Sequence, residues 1–361
     1  MSPVYLQGRA LISALGMNQT QAMASLSGGK GIPQQTALPG GTSWPYFAID
    51  YPEPDWSKRA QQLVCAAADE ARIQSCHDAP LFVASSSLDI GAIETLTLEG
   101  RKFRTAQAKD GFSFAEDIAG WLNWKGAVYI ISSACTSSLQ ALLYASKLIS
   151  SGSVNDAIIL GFELSNRFSL SGFATMQLLT PSTPKPLGLG RDGIALGEAV
   201  SVLHLSSRAA RWRLCGGSHI TDGRDPTGAI PQTVTQMCRQ ALADSGLAPS
   251  DIDLIKLQAA GSPVNDVNEL TGLAALFDSL PPLISLKVAI GHTLGASGAA
   301  EIALLTTCLE TGVWPLTRYP LDPDLCASLA LVRPESVRYL MANILGFGGG
   351  HSTVILQDTH A

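Results

Sequence analysis

Short apolar stretches alternate with helical patterns along the whole chain. Between residues 61 and 206, apolar runs of four to eight residues predict buried strands, and longer amphipathic or apolar stretches predict helices. The predicted elements are, in chain order, a helix over 61–73, a strand from Leu81, a strand over 127–132, a turn at Cys135, an apolar helix over 138–150, and strands from Ala157 and Ala199.

The second part of the chain repeats this order. Its predicted elements are a helix over 234–245, a strand from Ile252, a strand over 283–289, a turn at His292, a helix over 298–311, and strands from Tyr339 and His351. The repeat indicates two duplicated halves, 1–205 and 206–361, related by a pseudo-dyad that makes Cys135 and His292 equivalent. We therefore predict an α/β fold with a mixed, mostly parallel sheet covered by helices.

Composition supports a large buried core. The chain has 361 residues, of which 46% are hydrophobic and 15% charged, so disorder is excluded. The net charge of −6 is spread without a basic run, which argues against a nucleic-acid partner. The segment RAARWR, from Arg208 to Arg213, is a candidate docking patch for an acidic carrier protein, although a solvated surface turn is the favoured interpretation.

The cysteines indicate a reducing compartment. All seven lack a CxxC pair or an even framework, so we expect free thiols and a cytoplasmic protein. The first residues show no basic stretch followed by an apolar run, so we expect no signal peptide. No run of about 18 apolar residues predicts a membrane span.

Cys135 is the strongest candidate for chemistry. It lies in ISSACTSSLQALL, where a predicted helix begins, and unpaired N–H groups with a helix dipole favour the reactive thiolate. The neighbouring small residues allow a substrate or chain to approach closely. On this basis Cys135 should be the most readily alkylated thiol. The alternative is a small structural core cysteine.

Four further segments carry residues of types that could act together with Cys135 in one site. They supply Lys287, His292 and Glu301 (SLKVAIGHTLGASGAAE), Gln258, Asp266 and Glu269 (QAAGSPVNDVNEL), Asp192 and Glu198 (RDGIALGEA), and Phe347 in the glycine-rich NILGFGGG. Taken singly, each has a structural explanation: a helix cap, a turn that needs positive φ, or a solvated carboxylate.

In this order the motifs resemble the β-ketoacyl-acyl-carrier-protein synthases of the thiolase superfamily. The resemblance runs from GRALISALG through SSACTSSLQA and GFATMQLLTP to GFGGG. It implies the thiolase fold, with two βαβαβαββ halves in an αβαβα layering. It also implies a dimer formed through the strand that precedes Cys135.

The resemblance also implies a role for each residue. Cys135 would accept an acyl chain as a thioester, and the N–H groups of Cys135 and Phe347 would form the oxyanion hole. Phe347 would gate the acyl pocket, and His292 would stabilise the enolate formed by decarboxylation. Lys287 with Glu269 would organise the surroundings of that histidine. Asp266 and Glu301 would be buried structural partners. No metal or organic cofactor would be needed.

The sequence departs from the family pattern at several positions. Gln258 occupies the place of the first catalytic histidine, and Ala259 and Ala260 follow it. The family's GEGAG is GEAVS here, and Gly350 and His351 end the GFGG segment. The regions 100–112 and 181–190 are shortened. Glutamine cannot exchange a proton near neutral pH, but its amide can donate a hydrogen bond, so condensation should be impaired.

Three interpretations remain open. The first is a chain-length-factor-like partner that pairs with a complete ketosynthase, in fatty acid, polyketide or, as the first choice, aryl polyene biosynthesis. The second is an autonomous synthase that uses Cys135, Gln258 and His292, as a homodimer. The third is a non-condensing acyl-binding or acyl-transfer protein. Each would meet an acyl carrier protein.

Overall fold

The computed structural model describes residues 2–29, 31–38, 41–98, 111–325, 327 and 329–361. Cys326 and most of the segment 100–112, named above, therefore lie outside the described residues. The strands are β1 (Val4–Ser13), β2 (Gln34–Ala37), β3 (Ser43–Phe47), β4 (Leu81–Ala84), β5 (Val128–Ile131), β6 (Asp156–Glu163), β7 (Leu196–Gly197), β8 (Ala199–Ser206), β9 (Trp212–Thr221), β10 (Leu254–Lys256), β11 (Leu283–Ile284), β12 (Tyr339–Leu345) and β13 (Gly350–Asp358).

The helices fill the intervals between these strands. They are α1 (Gln19–Ser27), α2 (Trp56–Glu70), α3 (Ile90–Leu98), α4 (Gly111–Trp121), α5 (Ser137–Ser150), α6 (Arg167–Thr175), α7 (Pro231–Ser245), α8 (Asn265–Ala274), α9 (Lys287–Ile290) and α10 (Ser297–Thr311). No described helix combines the length and apolar character needed to cross a bilayer.

The two halves have the same strand order. The ten-stranded sheet runs β11-β10-β12-β13-β9-β1-β8-β6-β4-β5, so each half reads identically outward from the central β1–β9 contact. In both halves the outer two pairings are parallel and the inner two antiparallel. β1 and β9 meet antiparallel, with Val4 opposite Leu214. The predicted duplication is therefore visible in the topology.

Helices form three layers around the two half-sheets. The largest core joins α5 and α10 to strands of both halves. A second core packs α2 and α4 on the other face of the first half-sheet, and a third packs α7 and α8 on the other face of the second. α10 is buried along nearly its whole length, as expected for a helix with sheets on both sides. The layering is αβαβα.

Two predicted strands are shorter in the structure. The strand predicted over 283–289 ends at Ile284, and Lys287 begins the short helix α9, where the Ser285 hydroxyl accepts the Lys287 N–H at 3.3 Å. The strand predicted from Ile252 covers only Leu254–Lys256. Downstream of it, backbone N–H groups bind buried carboxylates, which replaces strand pairing.

Candidate active site around Cys135

Hydroxyl side chains build the turn that carries Cys135. After β5 the chain turns through Ala134, whose φ of 50° is left-handed, and α5 begins at Ser137. The Ser137 hydroxyl accepts the Ser133 N–H at 2.9 Å and donates to the Ala134 carbonyl at 2.7 Å. Thr136 donates to the Ser133 carbonyl at 2.8 Å. These bonds hold the strained turn, and the run of small residues in the sequence is explained by them.

The Cys135 thiol is buried and neutral. The residue is only 4% exposed. Burial raises the pKa of Cys135, although the N–H group of Phe347, the charge of Lys287 and its own N–H act in the opposite direction. The expected stabilisation of the thiolate by the helix terminus is therefore outweighed by desolvation. This corrects the premise on which Cys135 was expected to be the most readily alkylated thiol.

His292 lies against the thiol. Its Nε2 atom is 3.1 Å from Cys135 Sγ, and its Nδ1 atom is 3.1 Å from the Ser297 hydroxyl and 3.4 Å from Lys287 Nζ. Burial, reinforced by the charges of Lys287 and Lys256, holds the pKa of His292 well below its usual range. Because the ammonium of Lys287 can only donate, Nδ1 accepts and the ring proton resides on Nε2, facing the sulfur.

Lys287 is paired with Glu301, not with Glu269. Its ammonium forms a buried ion pair with one carboxylate oxygen of Glu301, and Lys256 binds the other oxygen at 2.7 Å. Lys256 also donates to the Asn343 carbonyl at 2.6 Å. Of the two residues expected to organise the surroundings of His292, Lys287 contacts the ring directly at 3.4 Å. Glu301 is a direct ion-pair partner of the lysine beside His292, on a helix that the sequence did not place beside β10.

Glu269 instead holds the backbone of Gln258. Its two carboxylate oxygens accept the N–H groups of Gln258 and Ala259 at 2.9 and 2.8 Å. Asp266 accepts those of Leu187, Ala260 and Gly261 at 3.0 to 3.3 Å. Both acids are fully buried, and burial raises the pKa of Asp266 to about 6 and that of Glu269 to about 7.

The Gln258 side chain reaches the histidine. Its Nε2 atom lies 3.5 Å from His292 Nε2, and its buried Oε1 atom has no hydrogen-bond partner within the described ranges. Since the histidine donates from Nε2, the amide orientation that satisfies both groups places Oε1 toward that ring nitrogen. Gln258 therefore lies beside the imidazole Nε2–H group, the donor that a substrate carbonyl would need.

Phe347 stands over the nucleophile on a glycine-rich turn. Gly348 and Gly349 adopt φ values of 75° and 77°, and a Cβ at Gly349 would lie 1.6 Å from the Asp222 carbonyl oxygen. The Phe347 ring stacks on Phe173 with centroids 5.4 Å apart. A cavity of about 80 Å³ lies beneath, and its lining includes Cys135, Gln258, His292 and Phe347.

The remaining sequence candidates lie further out. Asp192 lines the cavity and accepts the Thr180 hydroxyl at 2.6 Å. Glu198 is outside that lining and pairs with Arg59 at 2.7 Å. His351 is fully buried on β13 and is likewise absent from the lining. These residues support the fold around the site more than the reacting atoms.

Sequence reasoning missed Glu163 and Lys256. Glu163 ends β6, fully buried, and accepts hydrogen bonds from the consecutive serines 85–87 and from the Gly295 N–H at 3.2 Å. It thereby links β4 to the turn after His292. In the sequence, each could have been found as a charged residue at the end of an apolar strand, Glu163 in AIILGFE and Lys256 in DLIKLQ.

The Arg208–Arg213 cluster is not an open basic patch. Arg208 lies 3.2 Å from Asp156, and Arg211 forms a bidentate pair with Asp358 at 2.7 to 3.0 Å. Trp212, which directly follows Arg211, is fully buried at the start of β9. Arg208 and Arg213 are exposed, in keeping with a solvated turn, and because Arg208 and Arg211 already have acidic partners the segment offers few free charges to an acidic carrier protein.

Comparison with known proteins identifies the family. The model of the beta-ketoacyl synthase N-terminal domain matches residues 61–210, and that of the C-terminal domain matches residues 215–319. The chain belongs to the beta-ketoacyl synthase family. It is similar to 3-oxoacyl-[acyl-carrier-protein] synthase 2 of Mycobacterium leprae, at 31% identity over 257 residues, 64% of this chain and 60% of that protein. The match thus spans less than two thirds of that curated relative.

Solved structures match over the whole chain. The ketosynthase ApeO in complex with its chain length factor ApeC, from Xenorhabdus doucetiae, matches with a TM-score of 0.86 and 25% identity, covering 99% of this chain and 98% of the matched one. The ishigamide ketosynthase/chain length factor matches with a TM-score of 0.85 and 22% identity, covering 99% of both chains. The predicted thiolase fold is confirmed.

Proposed function

We propose that this chain is a chain-length-factor-like partner subunit that pairs with a complete ketosynthase. The pathway would be fatty acid or polyketide biosynthesis, with aryl polyene formation as the leading choice, and acyl carrier protein would dock on the pair. The observation that carries the proposal is Gln258, which replaces the first histidine and faces the Nε2 donor of His292 at 3.5 Å. The enolate would then find the His292 donor engaged, with only the Gln258 amide N–H group in place of the first imidazole.

Two further features support a subunit that condenses little by itself. The cavity of about 80 Å³ beside Cys135 is small against the roughly 300–1,000 Å³ that bound ligands occupy. In addition, Cys135 is 4% exposed and burial raises its pKa, so the nucleophile rests as a shielded thiol. A chain length factor needs the fold and its interface, and an active thiolate is dispensable.

A second candidate is an autonomous condensing enzyme that uses Cys135, Gln258 and His292. It is favoured by the 3.1 Å contact between Cys135 Sγ and His292 Nε2, and by the N–H groups of Cys135 and Phe347 that both reach the sulfur. These are the contacts that acyl transfer requires. An acyl-binding or acyl-transfer protein, the third interpretation, would use the same contacts without decarboxylation.

Co-purification with a ketosynthase encoded beside this chain tests the proposal. The expected result is a stable heterodimer and little carbon dioxide release from malonyl-carrier protein by the tagged chain alone. Turnover by the purified chain alone, without any ketosynthase, would favour the autonomous enzyme. Intact-mass detection of acyl-Cys135 without carbon dioxide release would favour the acyl-binding protein.

A surface variant locates the interface. β5 is the outer strand of its half-sheet, and Tyr129 on it is 43% exposed. We expect Tyr129→Glu to abolish co-purification, because it places a charge on an edge strand that would pair with the partner. Leu331→Glu is the matched control, since Leu331 is 57% exposed and follows Leu329, which pairs with β11 at the opposite edge. Loss in the control alone would contradict the proposed interface.

A further inference from the structure

A second cluster of reactive side chains lies in the first half and shares no residue with the Cys135 cavity. It consists of Cys76, Asp156 and His204, whose donor atoms all lie within 4.8 Å of one another. His204 Nε2 is 3.6 Å from Cys76 Sγ and 2.8 Å from Asp156 Oδ1. Cys76 and His204 are buried, whereas the Asp156 side chain is 26% exposed.

The fold brings these three side chains together from separate segments. β6 and β8 pair antiparallel, with Asp156 opposite Ser206 and Ile158 opposite His204. Asp156 and His204 are therefore diagonal neighbours on the same face of the sheet. Cys76 ends the 3₁₀ turn 74–76 that follows α2. β1 carries Gly8 opposite His204, and a Cβ there would lie 2.6 Å from the Ala71 carbonyl oxygen, so glycine lets this loop approach the strand.

One histidine nitrogen faces both other groups. A catalytic relay would use the two ring nitrogens separately, one for the thiol and one for the carboxylate. Here Nε2 alone faces both Cys76 and Asp156. That arrangement is typical of a common centre between the three donors. A thiolate, an imidazole and a carboxylate together are the ligand types that Zn²⁺ selects.

The spacing agrees with tetrahedral coordination. Bonds of about 2.3 Å to sulfur and 2.0–2.1 Å to nitrogen at a tetrahedral angle separate the two donors by about 3.6 Å. The observed separation between Cys76 Sγ and His204 Nε2 is 3.6 Å. The nitrogen–oxygen separation of 2.8 Å must widen by about 0.5 Å. Asp156 is the least buried of the three and sits at the rim, where this shift is easily made.

We propose that Cys76, Asp156 and His204 form a binding site for a divalent transition metal, with Zn²⁺ as the cation that the donor set fits. The fourth position opens to a hollow of about 230 Å³ lined by Ser75, Asp78 and Asn155, among others, from which water completes the tetrahedron. The site would tie the loop after α2 to the sheet.

Metal binding changes the protonation of two ligands. The Cys76 thiol releases its proton to solvent, and the His204 proton now shared with Asp156 moves from Nε2 to Nδ1. Burial raises the pKa of Cys76, so the affinity should increase with pH. Arg208, 3.2 Å from Asp156, is the competing cation, but its side chain is 65% exposed and free to swing away.

The test is Zn²⁺ titration of the full chain in a Cys135→Ala background. That background removes the other cysteine–histidine pair, Cys135 with His292, as a source of binding. We expect one Zn²⁺ per chain, an increase in Tm on binding, and a thiolate-to-metal absorption band when Co²⁺ is used instead. Adding Cys76→Ala, Asp156→Asn or His204→Gln should weaken binding by at least about 100-fold, since losing only a hydrogen-bond partner of a metal ligand already costs about 10–100-fold.

The matched control is Cys65→Ala in the same background, because Cys65 is a half-buried thiol on α2 outside the cluster. It should leave the affinity and the Co²⁺ band unchanged. Asp156→Asn and His204→Gln are close in shape to the native residues, and unchanged metal-free melting shows that they fold. The inference is overturned if the background binds no Zn²⁺, or if binding survives all three cluster variants.

Discussion

The turns at Cys135 and His292 occupy equivalent places in the two halves, yet their surroundings differ. Each follows the outermost strand of its half-sheet and leads into a central helix, α5 or α10. Backbone N–H groups and hydroxyls surround Cys135. His292 instead lies beside the buried ion-pair cluster of Lys256, Lys287 and Glu301.

The difference shows how duplication separated two tasks. The N–H groups of the cysteine turn can stabilise negative charge on the carbonyl oxygen of an acyl group bound to Cys135. The histidine turn instead keeps the imidazole ring neutral, because buried lysines lie beside it. Burial raises the pKa of Cys135 and lowers that of His292, so both groups rest neutral. The isolated chain therefore holds a thiol and an imidazole in contact without forming an ion pair.

The largest expected effect comes from removing the Glu301 carboxylate, which pairs with two buried lysines near His292. Glu301→Gln leaves Lys256 and Lys287 buried without an anion, and we expect a loss of about 3–5 kcal/mol in the free energy of unfolding. Denaturant titration measures it, with the exposed Glu116→Gln as control at under about 0.5 kcal/mol. Equal, small losses in both variants would show that the ion-pair cluster is dispensable.

The second prediction concerns pH and Glu269. Burial raises its pKa from 4.5 to about 7, so the folded state binds more protons than the unfolded state between these values. Stability should therefore fall as pH rises from 4.5 to about 7, by about 2–3 kcal/mol from this residue. Glu269→Gln should remove that slope in unfolding measurements across the window.

The control is a carboxylate whose contribution to the pH dependence of stability has the opposite sign. The hydrogen bond from Arg191 holds the pKa of the half-buried Asp322 below its usual range, so the contribution of Asp322 to stability is lost as pH falls. Asp322→Asn should flatten the acid side and leave the 4.5–7 window unchanged. An unchanged slope in Glu269→Gln would show that Glu269 stays ionised under the N–H groups of Gln258 and Ala259.

The third prediction restores the missing imidazole. If the proposed partner-subunit function is correct, Gln258→His should raise malonyl decarboxylation at least tenfold, which corresponds to about 1.4 kcal/mol of transition-state stabilisation. Carbon dioxide release by the purified chain alone measures it. Gln258→Asn keeps an amide and should give no gain. Strong wild-type release that the histidine variant abolishes would establish the Cys135–Gln258–His292 synthase instead.

The smallest expected effect is in thiol reactivity. Cys65 and Cys215 are half-buried, whereas Cys135 is 4% exposed. All three have raised pKa values through burial, so access decides the order. Brief iodoacetamide treatment with peptide mapping should modify Cys65 and Cys215 severalfold faster than Cys135. Modification of Cys135 first would show that the N–H groups overcome its burial in solution.

The sequence alone determined the order of elements and the two functional turns. Apolar runs of strand length must be buried, and the helices between them must cover the sheet that these strands form. The alternation of such strands and helices along the chain therefore predicted two halves built of layers. The motifs around Cys135, Gln258 and His292 identified the family, and the missing histidine was readable because Asp266 and Glu269 kept the spacing. Even the two strands that proved shorter than predicted were placed in the correct positions.

Only the tertiary structure decided which charges meet and in which state they rest. Glu301 on α10 binds both Lys287 on α9 and Lys256 on β10, and no spacing along the chain reveals that the two lysines share one carboxylate. The protonation of Cys135 was predicted with the wrong sign, because local helix geometry favours the thiolate while the layers above and below desolvate it. Patterns along a sequence report local preference, whereas burial and pairing depend on residues that only folding brings into contact.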